Sequence, residues 1–548
     1  METLRKNQKL NKVEKIKLER HPLEVREAVI ETYSKKGIES LDEVPGEVER
    51  LKWVGIYPQN QGGNAFMIRI KVPGGVLGAE QAQVIGKIAI DFANGPISNP
   101  HFGNNFLDLT TRQDVQMHWI KMEDVPEIWR RLEEVGMTTV QACGDSARNV
   151  LCCPVSGLGR DEILDAYPVA QAISDYFTGN REYANLPRKF KMSVTGCVED
   201  CAQAEINDIG MLPARLEDDA TLGFNVRVGG GLSDGPRMAS DIDVFVRPEE
   251  AVEVTRGIAQ VFGELGDREN RWTARMRYLV QELGPEGFRE ALEKRTSFEL
   301  TPAGEDLTKH YRGDHVGVHP QKEDGLYYVG LNVPVGRMSG EQFVEAGRLA
   351  GEYGGEIRLA TDQNFIITRV REEVVETLLA EPLLKQYSPT PGAFERGVVA
   401  CTGSEFCRFG IVETKIRAVE WAREMDERVG DSIGQEALRM HFSGCSASCA
   451  QPQIGDIGFR GETAKTKDAI VEGVDIGLGG SLGRDAAFID WVEGAKPADD
   501  VPDALVAVFE KFKEERRDGE RFHEWARRRS NQELRAALRS VGRNRGRG

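Results

Sequence analysis

The sequence predicts an α/β (α+β) protein built as a pseudo-two-fold internal duplication, on three observations. The chain of 548 residues is 40% hydrophobic and 29% charged, long enough for several packed cores and too apolar for wholesale disorder. Strand-like alternation and helix-like periodicity succeed one another along it. Four segments also recur in one order, at offsets of 261, 250, 248 and 250 residues. NAFMIRIKVPGGVLGAEQ (64–81) returns as GLYYVGLNVPVGRMSGEQ (325–342), and LTTRQDVQMHWI (109–120) as LATDQNFIITRV (359–370). GCVEDCAQAEINDIG (196–210) returns as GCSASCAQPQIGDIG (444–458), and VGGGLSDG (228–235) as LGGSLGRD (478–485). A repeat this long is no solenoid unit; it reads as two copies of one domain set.

Taken in order, residues 1–50 are highly charged, with Val25, Val29 and Ile30 at helical spacing, and form an N-terminal helical extension. Residues 51–125 hold a first small unit: a strand over Phe66–Pro73, a turn at Gly74-Gly75, a helix over Glu80–Asp91 and a strand over Leu107–Ile120. A helix over Pro126–Val135 opens a larger α/β section, 126–310. The second copy follows as 311–385 and 386–548, the latter ending in a tail.

A net charge of −17 speaks against nucleic acid, whose binding needs phosphate neutralisation. No run approaches the roughly twenty apolar residues of a membrane span, and the polar start lacks the apolar core of a signal peptide. Nine cysteines are too few for a disulfide scaffold in a chain of this size. A cytoplasmic protein is expected, with clustered thiols doing metal or redox chemistry.

Cys401-x5-Cys407 and Cys445-x3-Cys449 are two short thiol pairs flanked by Gly403, Gly410 and Gly444. Four thiolates on two loops suit a cubane iron-sulfur cluster; a structural zinc site is the rival reading. In the first copy Cys197 and Cys201 occupy the matching places and Cys143 stands opposite Cys401, while Cys152 and Cys153 are displaced. These five thiols are either relics or, if they converge, a second cluster. The first copy instead carries cations. Arg112 stands where the second copy has Asp362, Lys189 where it has Ala437, Lys191 where it has Arg439, and Arg148 lies in ACGDSARNV. Lys189 and Lys191 share a strand face, so like charges held together point to a bound anion.

With these motifs in hand, the chain resembles the sirohaem-dependent nitrite and sulfite reductases of the single-chain, ferredoxin-dependent type, from about residue 45 to about residue 530. FMIRIKVPGG, LTTRQDVQ, ACGDSARNV, NLPRKFK, AEINDIG, both Gly-Gly loops and both cysteine pairs carry the likeness. The resemblance implies two ferredoxin-like half domains joined in one unit, plus two α/β domains holding sirohaem and a 4Fe-4S cluster. It assigns Cys401, Cys407, Cys445 and Cys449 to the cluster, with Cys449 shared with the haem iron, and Arg112, Arg148, Lys189 and Lys191 to the substrate chamber. Arg69, Arg188, Gly230 and Gly479 are expected near the haem carboxylates, and His118 and Trp119 at the haem edge or in the core. In some related sulfite reductases a tyrosine beside the FMxR strand is linked to the cysteine of the ACGD motif; Ala65 stands at that place here, so no such link is expected.

The expected activity is six-electron reduction of a small oxyanion, with ferredoxin as donor and a monomeric enzyme. Lys191 favours sulfite, the dianion gaining most from an added cation; nitrite reduction to ammonia is the alternative, and a non-catalytic iron-sulfur carrier a remote one. Arg527, Arg528, Arg529 and the tail RSVGRNRGRG are candidate ferredoxin contacts. His310, His315 and His319 read as interdomain hydrogen-bonding residues rather than metal ligands.

Overall fold

The computed structural model describes residues 9–217, 220–433 and 437–540; the basic tail from 541 onward lies outside them. Helices and mixed sheets alternate, and none of the described helices is long and apolar enough to cross a membrane.

Two small sheets exchange their edges. The first runs in the order Ile56–Pro58, Phe66–Ile70, Val115–Ile120, Phe106–Leu109, and is completed by Arg337–Ser339 from the second copy. The second runs Gly317–Pro320, Leu326–Leu331, Phe365–Arg371, Glu356–Leu359, and is completed by Val76–Gly78 from the first copy. Each copy therefore closes the other's sheet, which removes two exposed strand edges. The helices Ala79–Phe92 and Gly340–Tyr353 cross at a glycine contact. A Cβ on Gly86 would lie 2.6 Å from the Gly340 carbonyl oxygen, and one on Gly340 would lie 2.7 Å from that of Gly86. Ile85, Ile88, Phe343 and Leu349 around this contact belong to one core shared by both half domains.

The sequence reading of Leu107–Ile120 as one strand is corrected by the structure, which folds it into a hairpin. Thr110 Oγ1 accepts from the amides of Arg112 (3.2 Å) and Asp114 (3.1 Å), and Gln113 adopts a φ of 56°. A threonine hydroxyl competing for local amides makes a turn where alternation alone suggests a strand. Arg112 thus stands at a hairpin tip.

The larger sections repeat one topology. Ala147–Cys152, Phe190–Val194 and Ile209–Arg215 are parallel neighbours, followed by antiparallel Leu222–Val228 and Ser240–Val246. Val398–Ala400, Met440–Ser443, Ile457–Lys465, Ile470–Leu478 and Asp490–Pro497 reproduce that order. Even the register repeats: Met192 pairs with Ile209, and Met440 with Ile457.

A buried ion network ties the half domains to the second section. Arg337 donates to both oxygens of Asp108 (2.7 and 2.9 Å) and to Glu405 (2.6 Å), while Lys415 lies 3.6 Å from Asp108. Although burial opposes it, Arg337 and Lys415 hold the Asp108 carboxyl well below the usual carboxylate range. Asp108→Asn should cost about 3–5 kcal/mol in denaturant unfolding, because it leaves the buried cations Arg337 and Lys415 with Glu405 alone to balance them. A depressed carboxylate stabilises fully above its unfolded value near pH 4, and loses that contribution as pH falls through its folded value. The difference between wild type and variant should therefore shrink on acidification below about pH 4.

Candidate functional site

The parallel strands Val398–Ala400 and Met440–Ser443 end side by side and deliver Cys401 and Gly444-Cys445 to one place. The Cys401 sulfur accepts from the amides of Gly403 (3.4 Å) and Gly444 (3.2 Å). Cys407 accepts from Phe409 and Gly410, and Cys445 from Ala447. The glycines permit the fold of these loops: a Cβ on Gly410 would sit 2.5 Å from the Gly403 carbonyl carbon, and one on Gly444 3.2 Å from the Gly403 Cα. Burial pushes the Cys401 thiol up to about 12 and Cys445 to about 11, with Cys407 moved the same way. Thiolates in such a place require a cation, and iron supplies it.

The donor spacing fits a cluster rather than a single ion. Among the described residues, no three of Cys401, Cys407, Cys445 and Cys449 bring their sulfurs within 4.8 Å of one another, whereas the ligands of one tetrahedral zinc stand closer. Amide donors aimed at the thiols are what cluster sulfurs use. Cys449 is the exposed member of the four.

Across from Cys449 the first copy presents its cations. Thr111, beside Arg112 at the hairpin tip, donates through Oγ1 to the Cys449 carbonyl (3.0 Å). Arg112 is oriented by Asn207 Oδ1 (2.9 Å) and the Asn149 carbonyl (2.7 Å). Arg148 is clamped by the carbonyls of Gly144 (2.7 and 2.9 Å) and Ala142 (3.2 Å). Lys189 and Lys191 flank Phe190 at the start of Phe190–Val194. Burial, then Arg275, pulls Lys189 down to about 7, with Cys449 acting in the opposite sense. Burial, Arg112 and Lys189 hold Lys191 well below its ordinary value. Arg112 itself is lowered by burial to about 10, while Asp114, in the same field, is raised by burial to about 6. Arg69, Arg112, Arg148, Lys189, Lys191 and Cys449 are linked pairwise in one electrostatic neighbourhood.

The other expected cofactor contacts are more dispersed. Arg69 donates to Gln116 (3.1 Å) and to the Cys143 sulfur (3.4 Å), and the Nε atoms of Arg69, Arg112 and Arg275 are buried with no partner among the described residues. Unpartnered buried guanidinium donors suit a polycarboxylate. Arg188 lies 3.6 Å from Asp145, a carboxylate also held by Arg271 (2.7 Å). A Cβ on Gly230 would meet the carbonyls of Asn207 (2.6 Å) and Glu205 (2.7 Å), so its loop packs on backbone. Gly479 has a φ of 90°, and Arg527 donates to its carbonyl (2.6 Å). Arg528 pairs with Glu520 and Arg529 with Glu515 (2.8 Å), which neutralises that basic run. His118 stacks on Phe406 at 4.0 Å and contacts Asp108 (3.5 Å), a core position.

Several partners escaped the sequence reading. Asp208, which holds Arg275 (3.1 Å) and the Lys191 amide (2.9 Å), and Thr111 both recur in the second copy, as Asp456 and Thr361; that repetition was their signal. Tyr57 gave none: it reaches the Cys143 thiol from the strand beside Phe66–Ile70, so a phenol does stand against Cys143, from a strand other than the one that Ala65 precedes.

Comparisons agree with this geometry. The nitrite and sulphite reductase 4Fe-4S domain family matches residues 143–300 and 392–543, and the nitrite/sulfite reductase ferredoxin-like half domain family matches residues 57–135 and 319–384. The chain is 43% identical over 519 residues to the assimilatory ferredoxin-dependent nitrite reductase of Haloferax mediterranei, covering 90% of this chain and 88% of that one. It is 39% identical over 507 residues to the ferredoxin-nitrite reductase of Synechococcus elongatus, covering 91% and 96%. The solved structure of the Mycobacterium tuberculosis NirA protein superposes with a TM-score of 0.89 at 32% identity, over 96% of this chain and 98% of that one.

These relatives overturn the expectation of sulfite as the preferred anion: the curated proteins that match at high coverage are ferredoxin-nitrite reductases. The structure supplies the physical reason. The argument for a dianion counted Lys191 as a full added cation, but desolvation and its cationic neighbours drive it toward the neutral amine. Sequence, fold and site together make the chain a member of the nitrite and sulphite reductase family, an oxidoreductase with sirohaem and a 4Fe-4S cluster as its cofactors.

Proposed function

We propose that this protein reduces nitrite to ammonia with electrons delivered singly by ferredoxin. The observation that carries this reading is the cluster of Arg112, Arg148, Lys189 and Lys191 within electrostatic reach of Cys449, in a chain similar over about nine-tenths of its length to ferredoxin-dependent nitrite reductases. Cys401, Cys407, Cys445 and Cys449 would hold the cluster, with Cys449 shared with the haem, and Arg69 would meet haem carboxylates. When bound, the coupled cofactors supply electrons one at a time to an anion at the haem iron.

The protein's own residues do the rest. Arg112, fixed by Asn207 and Asn149, anchors the anion, and Arg148 adds a second rigid donor. Nitrite takes up six electrons and seven protons to give ammonia and two waters, so proton donors must be renewed at each turn. Lys189, lowered to about 7, gives up and regains a proton at its Nζ near neutral pH. Lys191, whose ammonium is disfavoured by burial, Arg112 and Lys189, stands beside it as a second proton-exchanging group. Both copies are provided in cis, which supports a monomer, and nine unpaired thiols fit a reducing, cytoplasmic setting.

Steady-state kinetics with reduced ferredoxin should give a specificity constant for nitrite at least about a hundredfold above that for sulfite; a preference for sulfite would sink the reading. Arg112→Ala should lower kcat/KM for nitrite by about 10²–10³ while the haem absorption persists. The ammonium form of Lys189 is present below its lowered value and lost above it. The kcat/KM should therefore fall about fivefold from pH 7 to pH 8, and Lys189→Arg should flatten that fall.

A further inference from the structure

The pseudo-two-fold repeat leaves a second place equivalent to the cluster, and the first copy has built something different there. Cys197 and Cys201 are the counterparts of Cys445 and Cys449, on a loop of the same register. Thr361 donates to the Cys201 carbonyl (3.0 Å) as Thr111 does to that of Cys449. The thiols a second cubane would use do not converge: Cys143 lies against Arg69, and Cys152 is buried in the core of its own section. Cys153 instead turns to Cys197, their sulfurs 3.7 Å apart. His315, from the segment joining the two copies, completes the group, with Nε2 at 3.1 Å from the Cys201 sulfur and 3.8 Å from that of Cys153.

We propose that Cys153, Cys197, Cys201 and His315 bind one structural zinc ion. The three sulfurs all lie within 4.8 Å of one another, and among the described residues such tight donor groups occur only here and on the adjoining set Glu199, Cys201 and His315. Bonds of about 2.3 Å to sulfur and 2.0–2.1 Å to nitrogen in a tetrahedron put ligand atoms about 3.8 Å apart for sulfur pairs and 3.6 Å for sulfur and nitrogen. The Cys153 and Cys197 sulfurs at 3.7 Å match the sulfur value, and the His315 contacts at 3.1 and 3.8 Å bracket the mixed one; sulfurs all within 4.8 Å are too close for separate corners of a cubane. The three cysteines are buried and His315 is half-buried, so the ion would sit away from bulk water on the thiol side, as structural zinc does. The His315 Nδ1 faces the Tyr328 hydroxyl at 3.4 Å, leaving Nε2 for the metal. His315 holds this pose in a left-handed conformation, φ 59°, a strain that a metal bond would offset. Three thiolates on a dication leave one negative charge; buried Arg312, itself paired with Asp362, lies within electrostatic reach of Cys201. The ion would staple the Cys153 loop, the Cys197–Cys201 loop and the joining segment. The hydrogen bonds expected of His315 are present, to the Cys201 sulfur and the Tyr328 hydroxyl, and the proposal departs from the sequence reading only in adding a metal.

The test is metal analysis of the holoenzyme, expressed with zinc in the medium and dialysed against a chelator. About one zinc per chain is expected in addition to the cofactor iron, with an anomalous peak at the zinc edge among the four side chains in a crystal. Cys201→Ser and His315→Ala should each lower zinc content at least fivefold and leave the haem and cluster absorption in place. If these variants do not fold, the wild-type stoichiometry and anomalous peak decide alone. Less than about a tenth of a zinc per chain, iron in place of zinc at that peak, or a disulfide between Cys153 and Cys197 in peptide mapping would overturn the assignment. None of these results depends on which anion is reduced.

Discussion

Mutual strand exchange between the two copies is the constraint on which the rest of this structure depends. Val76–Gly78 closes the second small sheet and Arg337–Ser339 the first, so neither half domain is complete alone. Their hairpin tips are thereby pointed outward at the larger sections, and Thr111 and Thr361 reach the Cys449 and Cys201 carbonyls across the symmetry. On the axis itself Gln203 and Gln451 exchange amide hydrogen bonds (2.8 and 2.5 Å), each at a φ of 60°. Buried amides satisfied only by each other fix the relative position of the copies more sharply than apolar packing does.

The site is composite for the same reason. One copy contributes thiols and the other cations, and only the crossed arrangement brings them face to face. The electrostatics of the chamber are local. The chain carries −17 overall, yet here burial and like-charge repulsion dominate and lower Lys189, Lys191 and Arg112 together. In the proposed reaction, a cation cluster held down by desolvation would gain protons when an anion enters, coupling substrate binding to proton delivery.

Duplication also explains how one scaffold can hold two kinds of metal. The Gly-Cys-x3-Cys loop is common to both copies. In the second it opens against the Gly403 and Gly410 loop and spreads its donors; in the first it closes on Cys153 and His315. Donor spacing, set by the facing segment rather than by the shared loop, selects the metal.

Much was legible from the residues themselves. The repeat offsets foretold the duplicated topology and the cysteine pairs the cluster, and the contrast of Arg112 with Asp362 marked where the two copies differ, because repetition and its local failure are written in one dimension. The threonine turn that makes Arg112 a hairpin tip was hidden by strand-like alternation, since a side-chain hydroxyl competing for backbone amides leaves the hydrophobic pattern intact. Substrate charge preference was misread because residue type states a charge only in water, and burial decides whether Lys191 keeps it. The meeting of His315 with Cys153 and Cys201, and of Tyr57 with Cys143, belongs to tertiary structure alone: contacts between residues more than a hundred positions apart, or on different strands, follow from how the sheets close and have no periodic trace in the chain.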